Sequence, residues 1–252
     1  LHDALPIFQT AGGAPLTVVY RRSGARHTAT LTPTADENGH YKAGVWVRDS
    51  GAGIGTMSFV DPQRGTFAGL GHSISDADTG ADLTLLSGEI VPVTITGCIR
   101  GAAGSPGELR GEFAAAPAGT VLANDAAGVY GSYTGSCTAP ALPVANLQEV
   151  TPGEAELWTT VLGTTAQPYT IQVERVTMTG SDPNRNLLIR VTDKRLLDAT
   201  GGVVQGMSGS PIVQNGRLAA VLTHVLVNDP SRGYAIFATT MLEKADAVAS
   251  SK

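Results

Sequence analysis

The 252-residue chain is poor in charge and in aromatic rings: Asp, Glu, Lys and Arg make up 15% of it, and Phe, Trp and Tyr only 5%. With 42% hydrophobic residues beside so little charge, the chain is not of the solvated, disordered class. There are only two cysteines, Cys98 and Cys137, with neither CxxC spacing nor a neighbouring histidine. That setting argues against zinc and suits one disulfide or two free thiols equally. No run of Lys or Arg occurs and the net charge is -5, so nothing favours a nucleic-acid partner or an anionic membrane surface. No stretch of 18 apolar residues is present, which leaves no spanning helix. The chain starts without Met and without a basic-then-apolar leader, and its first residues read as the edge of a fragment. Membrane association is therefore expected only through an anchor missing upstream or through a membrane-protein partner.

What is abundant is glycine, 31 residues, spaced among short apolar runs. Leu16-Thr17-Val18-Val19-Tyr20-Arg21 and His27-Thr28-Ala29-Thr30-Leu31-Thr32 alternate as strands about a turn at Ser23-Gly24-Ala25, which reads as a hairpin. A second turn follows at Asp36 to His40, where Asn38-Gly39 supplies positive φ cheaply, and Tyr41 to Val47 reads as another strand. These forty-odd residues cannot close a core, so they resemble the tail of a domain that begins earlier. From Asp49 to about residue 137, apolar pieces are broken by Gly and Pro at intervals near ten, the spacing of a sandwich or barrel. The Ala- and Pro-rich stretch 138–148 reads as a connector between two halves. Beyond it, Ala155 to Val161, Tyr169 to Val176 and Leu187 to Thr192 favour strands. Only Thr240 to Ser250 has helical patterning, with Met241, Leu242, Ala245 and Val248 on one face. The fold class expected is all-β, a double barrel with a short C-terminal helix.

The chemistry centres on Gly206-Met207-Ser208-Gly209-Ser210-Pro211. A serine hydroxyl is a poor nucleophile at neutral pH and needs a base for its proton and donors for the developing oxyanion. Two glycines flanking Ser208 permit a turn tight enough for backbone amides of Gly206, Met207 and Ser208 to form such an oxyanion hole. Of five histidines, His72 is the candidate base: in Leu70-Gly71-His72-Ser73-Ile74-Ser75-Asp76 it follows an apolar strand and precedes a polar turn. His224 follows on the return strand in Leu222-Thr223-His224-Val225. It and Thr223 are expected either to line a substrate pocket or simply to pack. Ordinary turn chemistry and a structural histidine remain the bland alternatives for Ser208 and His72.

The run Gly202-Val203-Val204-Gln205-Gly206-Met207-Ser208-Gly209-Ser210-Pro211 resembles the stage IV sporulation protein B (SpoIVB) serine peptidase family. The resemblance extends to Trp46-Val47-Arg48-Asp49, Gly53-Ile54-Gly55-Thr56-Met57, Gly71-His72-Ser73-Ile74-Ser75-Asp76, Ser105-Pro106-Gly107-Glu108-Leu109 and Thr223-His224-Val225, in order over about residues 44–245. It implies a chymotrypsin-like double β-barrel over residues 46–252, preceded over 8–45 by the C-terminal part of a PDZ domain. It also implies Ser208 as nucleophile, His72 as base and Asp193 as triad acid. Members are bacterial regulatory proteases, exported into the space around the forespore, that cleave a protein partner, thereby releasing a membrane-embedded protease and activating a late sporulation sigma factor.

The residues themselves leave the acid open. Asp193 stands shortly before Ser208, where an acid more often serves a specificity pocket, or caps the turn that follows, and Asp76 and Asp78 compete for orienting His72. The activity expected is endopeptidase cleavage of a protein or peptide through an acyl-enzyme, with no metal, nucleotide or other cofactor. A non-catalytic binding module retaining the fold is the alternative. An α/β-hydrolase fits worse, since Gly206-Met207-Ser208-Gly209-Ser210 lacks the final Gly, the base precedes the serine and no βα rhythm exists.

Overall fold

A computed structural model describes residues 5–22, 24–44, 51–76, 79–180 and 182–250. His2, Asp78 and the Trp46-Val47-Arg48-Asp49 motif lie outside the described residues. The chain divides into two compact units, Leu1–Ala52 and Gly53–Lys252.

In the first unit a short helix, α1 (Leu5–Ala11), precedes a hairpin of β1 (Leu16–Arg22) and β2 (Ala25–Leu31). The hairpin is in register from Leu16 opposite Leu31 to Arg22 opposite Ala25, as the alternation predicts. A second pair, β3 (Thr34–Ala35) and β4 (Tyr41–Lys42), closes through the Asp36 turn. There the Asp36 carboxylate accepts from the amides of Asn38 and His40, both at 2.9 Å. Side chains of β2 are almost all exposed, so this unit has little interior of its own.

The second unit has two layers of strand structure. Its first half is a five-stranded antiparallel sheet in the order β5-β6-β11-β10-β7, with a separate ribbon of β8 (Val93–Ile99) and β9 (Glu108–Phe113). The sheet strands are β5 (Met57–Asp61), β6 (Thr66–Gly69), β7 (Glu89–Ile90), β10 (Gly119–Asp125) and β11 (Gly128–Tyr133). Among the described residues this half does not close, so the expected first barrel is an open half-barrel. Residues 138–148 then lead, as their composition suggests, into a closed six-stranded barrel.

That barrel runs β12-β13-β14-β17-β16-β15. Its strands are β12 (Gly153–Thr159), β13 (Gln167–Val176), β14 (Leu187–Val191), β15 (Pro211–Gln214), β16 (Arg217–Val225) and β17 (Arg232–Phe237). Alternation makes the core: Tyr169, Ile171 and Val173 of β13 and Leu187, Ile189 and Val191 of β14 all point inward. Leu157, Ile212 and Leu222 join them, each fully buried side chain contributing about 1.5–3 kcal/mol. A helix the composition did not single out, α2 (Lys194–Thr200), seals one end with Leu196.

The C-terminal helix, α3 (Ala238–Ser250), starts directly from β17. It buries Met241 and Ala245 against Ala68 of β6, Tyr130 of β11, Val221 of β16 and Ile236 of β17. One apolar cluster thus spans the half-barrel and the barrel, and the candidate catalytic residues sit along that seam. Both cysteines are free, Cys98 half-buried and Cys137 exposed. Among the described residues no helix is long and apolar enough to cross a membrane.

Candidate active site

Ser208 sits in the turn between α2 and β15. The turn is cross-tied: Ser210 N donates to Met207 O at 2.9 Å, and Gly209 N to Leu222 O at 2.8 Å. Met207, with no exposed surface, anchors it in the barrel core. Gly209 has φ +96, and a Cβ there would stand 1.9 Å from Thr56 O and 2.7 Å from Leu70 N. Only glycine lets the half-barrel approach so closely.

His72 is delivered from the other half. After β6 the chain passes through two successive left-handed residues, Leu70 (φ 67) and Gly71 (φ 72). Left-handed backbone at a leucine is uncommon and costs of order 1–3 kcal/mol. The turn is held where it is by packing: a Cβ on Gly71 would lie 2.9 Å from Thr223 Cγ2 and 3.1 Å from Ile236 Cγ2. His72 therefore emerges beside β16, and its ring meets that of His224 with centroids 4.8 Å apart. His72 Nδ1 donates to Ser73 O at 2.7 Å, which leaves Nε2 as the nitrogen with a free lone pair.

β16 carries a bulge here. Leu222 pairs with Ala235 and His224 with Tyr234, so Thr223 drops out of the ladder. Its freed carbonyl accepts the Ser208 hydroxyl at 2.7 Å. The Thr223 side chain is only 1% exposed, and its hydroxyl lies 2.6 Å from Asn184 O and 3.0 Å from Tyr234 O. Of the two expectations for Thr223, its side chain takes the packed one: its hydroxyl is spent inside the protein, and its backbone is what reaches the site. His224 is half-buried, and its Nδ1 is buried with no partner among the described residues. Burial, helped by His72 and Arg185 and opposed by Asp182, pushes its imidazole down to about 4.

Of the three amides expected in the oxyanion hole, that of Met207 is already used, donating to Val204 O at 3.2 Å. Those of Gly206 and Ser208 donate to no acceptor among the described residues. Their orientation is set from behind. Leu109 N donates to Gln205 O at 2.9 Å and Ser210 N to Met207 O at 2.9 Å. In a planar trans peptide the N–H points opposite to the carbonyl, so the Gly206 and Ser208 amides face away from these donors.

Asp193 does something other than orient a histidine. It is the N-cap of α2, accepting from Arg195 N at 2.8 Å, and it holds the Arg195 guanidinium at 3.1 and 2.7 Å. It also accepts from Thr170 N at 3.3 Å. The Arg195 side chain, followed by these amides, holds its carboxyl down at about 2. No hydrogen bond or ion pair joins it to His72. Of the competing acids, Asp76 accepts from Thr79 N and Oγ1, both at 2.9 Å, within its own turn. Among the described residues no group of His, Cys, Asp and Glu is arranged to hold a metal.

A six-stranded barrel joined to a half-barrel, with a glycine-turn serine and a histidine brought together along their seam, is the architecture of a chymotrypsin-like serine peptidase. The chain belongs to the SpoIVB peptidase S55 family, which it matches over residues 39–242. Solved structures similar to it include the active form of the Rv3671c protease from M. tuberculosis, at 17% identity over 81% of this chain and 93% of that one, with a TM-score of 0.37. The inactive form of that protease has 16% identity over 57% and 72%, with a TM-score of 0.37. The HtrA-type protease AlgW with a decapeptide has 11% identity over 97% and 66%, with a TM-score of 0.43. No residue role follows from likenesses so distant. No curated protein sequence matches the chain significantly.

Proposed function

We propose that this serine peptidase is an endopeptidase in which Ser208 is the nucleophile and His72 the general base. The observation that carries the reading is the meeting at Thr223–His224. The Ser208 hydroxyl rests on Thr223 O and the His72 ring on His224, although the two residues arrive from different halves of the molecule. In this reading the Ser208 hydroxyl exchanges its bond to Thr223 O for one to His72 Nε2 when substrate binds. His72 then accepts the proton as Ser208 Oγ attacks the scissile carbonyl. The uncommitted amides of Gly206 and Ser208 receive the oxyanion, and His72 returns the proton to the leaving amine. Water, activated by the same imidazole, releases the acyl group. The Ser73 carbonyl supplies the tautomer control that a triad acid would, while Asp193 anchors the loop ahead of the serine.

We further read residues 8–45 as the C-terminal part of a PDZ domain and 46–252 as the peptidase. The substrate is a regulatory protein partner, cleaved outside the cytoplasm in the sporulation signalling that activates a membrane-embedded protease and a late sigma factor. Family membership supports the peptidase assignment, and the division of the chain into two units supports a separate first domain, although that division falls between Ala52 and Gly53 and not between residues 45 and 46. Labelling by a fluorophosphonate probe tests the site. Wild-type protein should label at Ser208, and the Ser208→Ala and His72→Ala proteins should not. In the host, Ser208→Ala should block the late sigma factor; normal activation would remove the sporulation assignment. A second reading, a non-catalytic module, draws on the Ser208 hydroxyl bonding Thr223 rather than His72. Unlabelled wild-type protein would favour it.

A further inference from the structure

Thr56, the residue just before β5, makes more links across the seam than either candidate catalytic residue. Its N–H donates to Ser208 O at 2.8 Å, and its carbonyl accepts from Leu70 N at 3.2 Å. Its hydroxyl donates to Gly206 O at 3.1 Å, 150 positions away in the chain. Behind it, Ser210 Oγ lies 3.5 Å from Thr56 Oγ1 and donates to Thr159 Oγ1 at 3.0 Å. Ser210 and Thr159 are essentially without exposed surface. One residue thus grips the carbonyls on both sides of Met207 and Ser208, and also the left-handed turn that leads to His72.

Most of that grip is backbone and serves any strand-edge residue. The hydroxyl is the exception. Gly206 has φ +95, and a glycine so placed rotates its flanking peptides at little cost. If the Gly206–Met207 peptide turned, the Met207 amide would leave Val204 O and the ψ of Gly206 would change. The Gly206 and Ser208 amides, held from behind through Gln205 O and Met207 O, would then shift relative to one another. A hydroxyl on the Gly206 carbonyl opposes that rotation. The effect is felt where the oxyanion is held, so it belongs to the transition state and not to the bound substrate.

We propose that Thr56 is a positioning residue, its hydroxyl locking the Gly206 carbonyl so that the amides on either side of Met207 stay aimed at the oxyanion. This rests on the reading of Ser208 as nucleophile. The signal in the sequence was slight: Thr56 lies in Gly53-Ile54-Gly55-Thr56-Met57, where the glycines draw attention and the threonine does not. Gly55 has its own reason, since a Cβ there would fall 2.2 Å from Leu70 Cδ2.

The test is the second-order rate of fluorophosphonate labelling, together with kcat and KM on a peptide the wild-type protein cleaves. Absence of wild-type labelling at Ser208 defeats the nucleophile reading and this inference with it. If the wild-type protein labels, Thr56→Val, which keeps shape and loses the hydroxyl, should label about 10- to 100-fold more slowly. Its kcat should fall by the same factor, with KM and the thermal midpoint nearly unchanged, and Thr56→Ser should restore the rate. If Thr56→Val does not fold, Thr56→Ala against Thr56→Ser isolates the hydroxyl, since neither carries the methyl group. Wild-type rates in Thr56→Val or Thr56→Ala overturn the proposal while leaving Ser208 as nucleophile. So does a loss that follows the unfolded fraction, or an equal loss in Thr56→Ser.

Discussion

His72 and His224 face one another with ring centroids 4.8 Å apart and planes inclined at 34°. One comes from the strained turn after β6, the other from the bulged end of β16. His224 is held neutral by its surroundings, chiefly burial, so a proton arriving on His72 meets no second imidazolium.

The same pair sets a pH dependence of stability. The folded value of His224, about 4, lies below the 6.5 of a free imidazole. Between these, the unfolded chain takes a proton that the folded chain refuses, so stability is complete above about pH 6.5 and is lost as pH falls toward 4. Thermal midpoints across that window should decline less in His224→Phe than in the wild-type protein. Parallel declines would show that His224 does not titrate as described.

Asp193 works in a separate window. Its carboxyl is held at about 2 against 3.8 for a free one, so its contribution is present above pH 3.8 and disappears as pH falls through 2. Asp193→Ala should lose the cap and about 1 kcal/mol of stability, measured by urea unfolding. Asp193→Asn keeps a capping oxygen and should keep kcat within about tenfold, whereas removing the charge of a triad acid costs about 10⁴. A loss of that size would return Asp193 to the triad.

Ser208→Ala and His72→Ala should abolish probe labelling and peptide cleavage while shifting stability by less than about 1 kcal/mol. Circular dichroism and urea midpoints check the fold. Residual labelling in Ser208→Ala would point to a different nucleophile.

Gly209→Ala should be far worse than its size suggests. The new methyl group would collide with Thr56 O at 1.9 Å, on backbone at φ +96. A loss of about 2 kcal/mol or more is expected, together with loss of labelling. Gly216→Ala is the control: φ is +72 but nothing lies within 4 Å. It should cost only about 1 kcal/mol of backbone strain and leave activity intact.

Much of the fold was legible because it is locally encoded. Period-two alternation marked β1 and β2, β-branched and aromatic residues marked β13 and β14, Asn38-Gly39 marked a turn, and the apolar face of Met241 and Ala245 marked α3. Helix α2 was harder: Lys194 to Thr200 is a single short stretch that by sequence alone suits a turn, and its helical state rests on the Asp193 cap and on Leu196 entering the barrel. The open half-barrel was not legible either, since closure depends on which strand edges meet.

The sequence by itself determined an all-β chain with a C-terminal helix, a glycine turn around Ser208 and His72 at a strand end. These follow from φ preferences and side-chain period, which act over a few residues. Only the tertiary structure decided that Thr223 offers its carbonyl and not its hydroxyl, that the rings of His224 and His72 meet, that Asp193 is spent on Arg195, and that Thr56 clasps Gly206. Those outcomes turn on contacts between distant segments, where one bulge in β16 or one missing Cβ at Gly209 selects the atom that faces the site.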